Sequence, residues 1–378
     1  MVPASLSPFV GGRAFCFSLK RSVLIIGNFL SAAGGSRGVC EDLAERLAND
    51  GWKVVTASRK RPRLLRLADM VLTAIRHRHE YSVAQLDVFS GPAFVWAETV
   101  CWTLRRLGKP YVLTLHGGDL PKLAARWPGR VKRLLASAKA VTAPSGYLKE
   151  KLEPYCREIK VIPNPIDLGL YPFRERSPAK PNLVWLRAFH EIYNPVMAVR
   201  AVAHLMEAGE RLSHLPSSIS DLPTSISDLR LMMFGPDKGD GSLERVRAEV
   251  GRLKLEERVR TLGAVPKTGV PKALNSGDIF LNTSNVDNTP VSVIEAMATG
   301  LCIVSTEVGG VPYLCEKGKE ALLVPVNDTE AMAAAVRSIL VDADLSGRLS
   351  RAARAKAEGF GWSEVLPVWE GLLGRSRK

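Results

Sequence analysis

Asp287-Asn-Thr-Pro-Val-Ser-Val-Ile-Glu295 decides how this chain reads. Two acids stand eight residues apart, and the turn between them opens into a helix. Thr289 suits the N-cap and Pro290 the first helical position. Val291, Ser292, Ile294, Glu295, Ala296 and Met297 follow, and Gly300 supplies the stop. The first N–H groups of a helix have no partners inside it, and the dipole makes that end positive. Such an end holds a phosphate or pyrophosphate, which makes Thr289, Pro290, Val291 and Ser292 candidate binding residues. Asp287 stands just before the helix end and Glu295 about a turn inside it. Carboxylates beside an anion site are poorly placed to bind phosphate. They suit hydroxyls of groups attached to it, such as a ribose and a sugar. The plain alternative is a capped helix with two solvated acids.

The next segment weighs against that alternative. Cys302-Ile-Val-Ser-Thr306 reads as a buried strand, followed by Glu307-Val-Gly-Gly-Val-Pro312. The run from Asn285 to Pro312 resembles the signature of glycosyltransferase family 4, the retaining GT-B enzymes. The resemblance implies an α/β protein with two Rossmann-like parallel-sheet domains facing a crevice. It implies that Glu295 binds the ribose of a nucleotide and that Asp287 binds the transferred sugar. Asp287 departs from the family's usual Glu by one carbon of arm.

Charge divides the chain. Residues 1–165 hold 26 Lys and Arg against 12 Asp and Glu, and residues 166–378 hold 26 against 26. A basic half beside a balanced one points to separate binding tasks, the basic one for nucleic acid, an anionic membrane or a phosphorylated acceptor. Nucleic acid is disfavoured, because no zinc-finger spacing, RRM-like aromatic motif or helix-turn-helix is evident. Six scattered cysteines with no C-x-x-C pair argue for a reducing, cytoplasmic setting and against a structural metal. No apolar run reaches membrane-spanning length. Residues 1–20 read as a ragged tail, since Lys20 and Arg21 follow the apolar part rather than precede it.

Strand-like and helix-like segments alternate over most of the length, as in parallel-sheet proteins. Strands are expected at 23–26, 53–56, 83–88, 111–115, 140–143 and 160–162 in a first unit, residues 21–165. A second unit, residues 166–360, is expected to hold strands at 182–186, 229–234, 259–262, 279–282, 302–305 and 321–324. Residues 361–378 resemble the family's last helix, which crosses back to the first domain. Leu215-Pro-Ser-Ser-Ile-Ser-Asp221 is repeated as Leu222-Pro-Thr-Ser-Ile-Ser-Asp228. Two copies make no solenoid, and the repeat reads as an enlarged surface loop or a partner-binding one.

Other motifs sit at expected strand ends. Gly34 and Gly35 lie in a turn between strand and helix, where glycine admits a phosphate close to the backbone. They resemble the family's first-loop glycines beside the donor phosphates. The pattern is not G-x-G-x-x-G, and Ser58-Arg-Lys60 stands where a ribose-binding acid would, so an NAD site is disfavoured. His116 follows a strand at its carboxyl end and matches the family histidine that contacts the donor sugar; Asp119 nearby is a weaker candidate to face an acceptor. Arg187 ends another strand and suits a diphosphate clamp. The family carries a lysine five residues beyond this arginine; Ile192 stands there instead. Asn194, His190 and Lys238 are the candidate replacements.

The stretch from Ser58 to Arg78 is basic and apolar together, a pattern for an anionic membrane interface or for an amphipathic helix with a solvated basic face. The resemblance as a whole implies retaining transfer of a sugar from a nucleotide diphosphate sugar to an acceptor hydroxyl of a sugar, glycolipid or polysaccharide, with no metal or other cofactor. It implies a cytoplasmic chain, with peripheral attachment to the inner face of a membrane as the further expectation. A nucleotide-sugar epimerase or hydrolase, and a non-catalytic nucleotide-sugar-binding partner, are the alternatives.

Overall fold

The structure, a computed structural model, describes residues 21–31, 38–117, 119–213 and 228–374, with the side chains of 208–213 excepted. Residues 1–20, Gly34, Gly35 and residues 215–227 of the repeat lie outside the described residues. The first unit runs β1 (Ser22–Ile26), α1 (Val39–Asn49), β2 (Lys53–Ala57), α2 (Arg63–Arg76), β3 (Val83–Val88) and α3 (Pro92–Arg106). It continues through β4 (Tyr111–Leu115), α4 (Leu120–Arg126), α5 (Pro128–Ala136), β5 (Ala140–Ala143), α6 (Gly146–Leu152) and β6 (Lys160–Val161). The second unit begins β7 (Asn182–Leu186), α7 (Pro195–Ser213), β8 (Arg230–Phe234), α8 (Ser242–Arg252), β9 (Val259–Thr261), α9 (Val270–Asn275) and β10 (Ile279–Asn282). After it come α10 (Val291–Thr299), β11 (Cys302–Thr306), α11 (Val311–Leu314), β12 (Ala321–Val324), α12 (Thr329–Val341), α13 (Ala343–Glu358) and α14 (Trp362–Gly374).

Each unit is built on a six-stranded sheet, ordered β2-β1-β3-β4-β5-β6 and β12-β11-β10-β7-β8-β9. Every pairing within them is parallel. Short apolar runs such as Val23-Leu-Ile-Ile26 are wholly buried, because helices cover both faces of a parallel sheet. The expected strands are all present, with ends shifted by a residue or so.

Chain direction across the sheet reverses between β1 and β3 in the first sheet and between β7 and β10 in the second. At such a reversal the helices on either side leave a crevice beyond the carboxyl ends of the strands. Helix α14 lies against the first unit. Trp362, Val365, Trp369 and Leu373 join Val23, Ile25, Leu43 and Leu47 in one core. Each such side chain contributes roughly 1.5–3 kcal/mol on burial, and Trp52 Nε1 adds a 2.8 Å hydrogen bond to Glu370.

Candidate active site

Arg187 and Asp287 leave the two strands that flank the second reversal. Arg187 follows β7, and the Asp287 loop follows β10. Side chains stitch the two loops together. Trp185 Nε1 donates to Thr283 Oγ1 at 2.9 Å, and Thr283 Oγ1 donates to the Tyr193 carbonyl at 2.8 Å. The Asn285 amide donates to the Ile192 carbonyl at 2.7 Å. The guanidinium of Arg187 then pairs with the Asp287 carboxylate and lies over the Tyr193 ring, 4.2 Å from its centre. Asp287 also accepts from Ser284 Oγ at 3.2 Å and from the Asn288 amide at 2.9 Å. The Arg187 cation and these two hydrogen bonds therefore fix the carboxylate in place.

Gly309 and Gly310 back the same loop. A Cβ on Gly309 would stand 1.9 Å from the Asp287 carbonyl oxygen, and one on Gly310 1.6 Å from that of Asn288. Backbone cannot yield to such overlap, so this turn admits only glycine. That is the local reason for the Gly-Gly after β11.

Helix α10 corrects one detail of the sequence reading. Pro290, not Thr289, occupies the N-cap, and the helix begins at Val291. Thr289 Oγ1 caps nothing. It is buried without a hydrogen-bond partner, as are Ser292 Oγ and Arg187 Nε. Gly300 closes the helix in the left-handed conformation, as expected. Glu295 is 7% exposed and accepts from Tyr171 Oη at 2.7 Å. Burial raises its pKa; the Tyr171 hydrogen bond, Lys267 and Arg187 oppose that rise in decreasing order.

The first unit closes over this loop. Ser145 caps α6 through the Leu148 amide, and its hydroxyl also meets Asn288 Oδ1 at 2.5 Å. Lys267 bonds Asp42 at 2.9 Å, Arg46 bonds Asp167 at 2.6 Å, and Tyr313 reaches Glu150. Thr114 and Thr142 are paired in β4 and β5, so His116 and Ser145 leave neighbouring strands at similar depth. The Ser145–Asn288 bond thus brings the Asp287 loop to the His116 end of the first sheet. His116 Nε2 lies 3.0 Å from Asp87 Oδ1, and its ring stacks on Phe89 at 5.0 Å.

The candidate lysine replacements are not turned to this point. Asn194, in the left-handed region at φ 45°, directs its amide to Asn327 at 2.8 Å and to Asn285 at 3.4 Å. His190 accepts from the Ile192 amide, and Lys238 is exposed on its own turn. Lys267, which the sequence reading passed over, is the cation whose field most affects Glu295. Tyr171, Ser284 and Asp87 were also missed. Asp87 alone left a signal: Gln85 and Asp87 alternate as polar residues at the carboxyl end of an otherwise apolar strand.

A family profile described as "Glycosyl transferases group 1" matches residues 198–342, and one described as "Glycosyltransferase Family 4" matches residues 58–170. The chain is 24% identical over 303 residues to a D-inositol 3-phosphate glycosyltransferase of Segniliparus rotundus, covering 74% of this chain and 63% of that protein. It is 35% identical over 137 residues to a putative colanic acid biosynthesis glycosyltransferase of Salmonella typhimurium, 34% of each chain. It therefore spans less than two thirds of either relative. Among solved structures, sucrose-phosphate synthase from Thermosynechococcus elongatus superposes with a TM-score of 0.72 at 18% identity, over 94% of this chain and 100% of that one. Anabaena HepE in complex with UDP-glucose gives 0.70 at 17% identity, over 93% and 99%. Two parallel sheets meeting at their strand ends, with matching profiles in each, show that the chain belongs to glycosyltransferase family 4 and carries its GT-B fold.

Proposed function

We propose that this protein transfers a sugar from a nucleotide diphosphate sugar to an acceptor hydroxyl, with retention at the anomeric carbon, in polysaccharide or glycolipid assembly. The convergence of Arg187, Asp287 and the start of α10 at the second sheet's reversal carries this reading. Three polar groups there, Thr289 Oγ1, Ser292 Oγ and Arg187 Nε, have no protein partner. Each unmet group costs about 1–3 kcal/mol, which a bound diphosphate would offset. Glu295 holds ribose hydroxyls and Asp287 the sugar, with His116 on the opposite wall. The bond from the anomeric carbon to the phosphate oxygen breaks as the acceptor oxygen bonds to that carbon on the same face. The leaving phosphate takes the acceptor proton, so no protein base is required. Arg187 and the helix dipole stabilise the charge developing on the diphosphate.

A non-catalytic role is the second reading, favoured by Ile192 at the lysine position and by the directions of Asn194 and His190. Incubation with a panel of UDP, GDP and ADP sugars separates the readings. Thermal upshift by one donor class, together with product formed on an acceptor mixture, is expected. Upshift with no product on any acceptor, and no hydrolysis, would instead fit the binding partner.

The protein works at an anionic membrane surface in this proposal. No helix among the described residues is long and apolar enough to cross a membrane. Helix α2 nevertheless turns Leu64, 83% exposed, Leu65, 58% exposed, Leu72 and Ile75 to the outside. Its solvent face is apolar rather than basic, with exposed Arg59, Lys60, Arg61 and Arg63 at one end and Arg76 and Arg78 at the other. That arrangement suits the headgroup boundary. Sedimentation with phosphatidylglycerol vesicles is expected, and Leu64→Ser/Leu65→Ser should weaken it on the order of tenfold or more, since each leucine contributes roughly 1.5–3 kcal/mol when fully buried. Equal sedimentation of the double variant would remove α2 from the membrane contact.

A further inference from the structure

The reversal point of the first sheet carries its own cavity, of about 240 Å³, beyond β1 and β3 and between the first turns of α2 and α3. Asn28, Asp87 and Phe89 come from the strand ends, Arg63 and Arg66 from α2, and Trp96 from α3. One of the two arginines differs from the rest of the basic stretch. Arg66, read from the sequence as part of a basic surface, is turned inward. Its Nη1 donates to Asn28 Oδ1 at 3.1 Å, its Nε donates to the Lys60 carbonyl at 2.8 Å, and its guanidinium lies 5.8 Å from the centre of the Trp96 ring. Burial lowers its pKa, with no acid offsetting the change. Among the described residues no carboxylate forms an ion pair with Arg66 or Arg63. The nearest acids are committed: Asp87 accepts from Gln85 at 2.8 Å and pairs with His116, and Asp69 accepts from Ser58 at 2.6 Å.

We propose that this cavity holds the phosphate of a phosphate-bearing acceptor, with Arg63 and Arg66 as its ligands and the acceptor ring against Phe89 and Trp96. The inference rests on the glycosyltransferase reading above and names the acceptor class. Arg66 has no counter-ion; its Nη2 also donates to the Arg61 carbonyl at 3.4 Å, and the second N–H on each of its two terminal nitrogens is left for phosphate oxygens. Arg63, exposed at the cavity wall, adds a second positive charge, against the single charge of a phosphodiester or the nearly doubled charge of a phosphomonoester near neutral pH. Phe89 touches both the cavity and His116, so a ring anchored here lies beside the histidine assigned to the donor sugar. Phosphate on a free sugar and phosphate in a lipid headgroup share this chemistry.

Calorimetric titration of the whole protein tests the assignment. The probes are mannose 1-phosphate, glycerophosphoinositol (the deacylated headgroup), mannose, inositol and glucuronate, with UDP, GDP and ADP titrated into the same samples. At least one phosphate ester is expected to bind ten times or more tighter than its phosphate-free counterpart. Preference for mannose 1-phosphate would point to a soluble acceptor, and preference for glycerophosphoinositol to a lipid one. Arg63→Gln should weaken that binding tenfold or more and leave UDP affinity unchanged. Because Arg63 is exposed, this variant keeps the test valid if Arg66→Gln fails to fold. Phosphate esters binding no better than their parents, glucuronate binding as tightly, or Arg63→Gln binding like the wild type would overturn the proposal. Failure of UDP, GDP and ADP alike to bind while the ester still binds would refute the donor assignment and leave this one standing.

Discussion

Replacing Asp287 by alanine is expected to lower turnover on the order of 10²–10³-fold, the usual cost of losing one fixed electrostatic group at a reacting centre. Nucleotide affinity should stay close to wild type. The reason lies in where the carboxylate sits. It leaves the end of β10 at the reversal point, is held by Ser284 and the Asn288 amide, and neutralises Arg187. None of these groups bonds Glu295, which Arg187 affects only through its field and which lies deeper in α10, paired with Tyr171. Asp287→Asn keeps the shape but not the charge, and should recover little activity. Single-turnover rates and UDP titration on the same variants decide the matter. Normal turnover by both variants would move the transfer site away from this loop.

Glu295→Ala should produce the opposite pattern, with nucleotide affinity down roughly 10–100-fold, matching about 1.5–3 kcal/mol for hydrogen bonds to a charged group. Its pH dependence gives a second check. In the proposed assignment ribose hydroxyls donate to the ionised carboxylate, and burial raises the Glu295 pKa. Affinity should therefore fall on acidification, beginning above the ordinary carboxylate value of about 4.3. Stability should respond with the other sign. A raised folded-state pKa means that the native protein binds more protons than the unfolded chain. The contribution of this group is thus fully present below the unfolded value and is lost as pH rises through the folded one. Glu295→Gln should flatten both trends and raise the melting temperature slightly at alkaline pH. An acid-insensitive nucleotide affinity in the wild type would contradict the ribose assignment.

These two residues are also where sequence and structure divide. Most strands were legible because they are short apolar runs, and a run buried on both faces needs no partner to be recognised; β6 and β9, short and partly exposed, are exceptions. The places of Glu295, Asp287 and Arg187, at a helix start and two strand ends, were legible because such an end is a local event. Even there, the shift of the cap from Thr289 to Pro290 shows that a boundary can slip by one residue without disturbing the helix.

Tertiary structure alone decided the partners. Tyr171 meets Glu295 across 124 residues, Ser145 meets Asn288 across 143, and Arg66 meets Asn28 across 38. It also decided that Arg66 turns inward while its neighbours stay at the surface, and that the outer face of α2 is apolar. Periodicity and capping report what a residue does with neighbours about one turn away. Which strand ends converge on a crevice depends on the order of strands in each sheet and on how the two sheets meet, and long-range packing sets both.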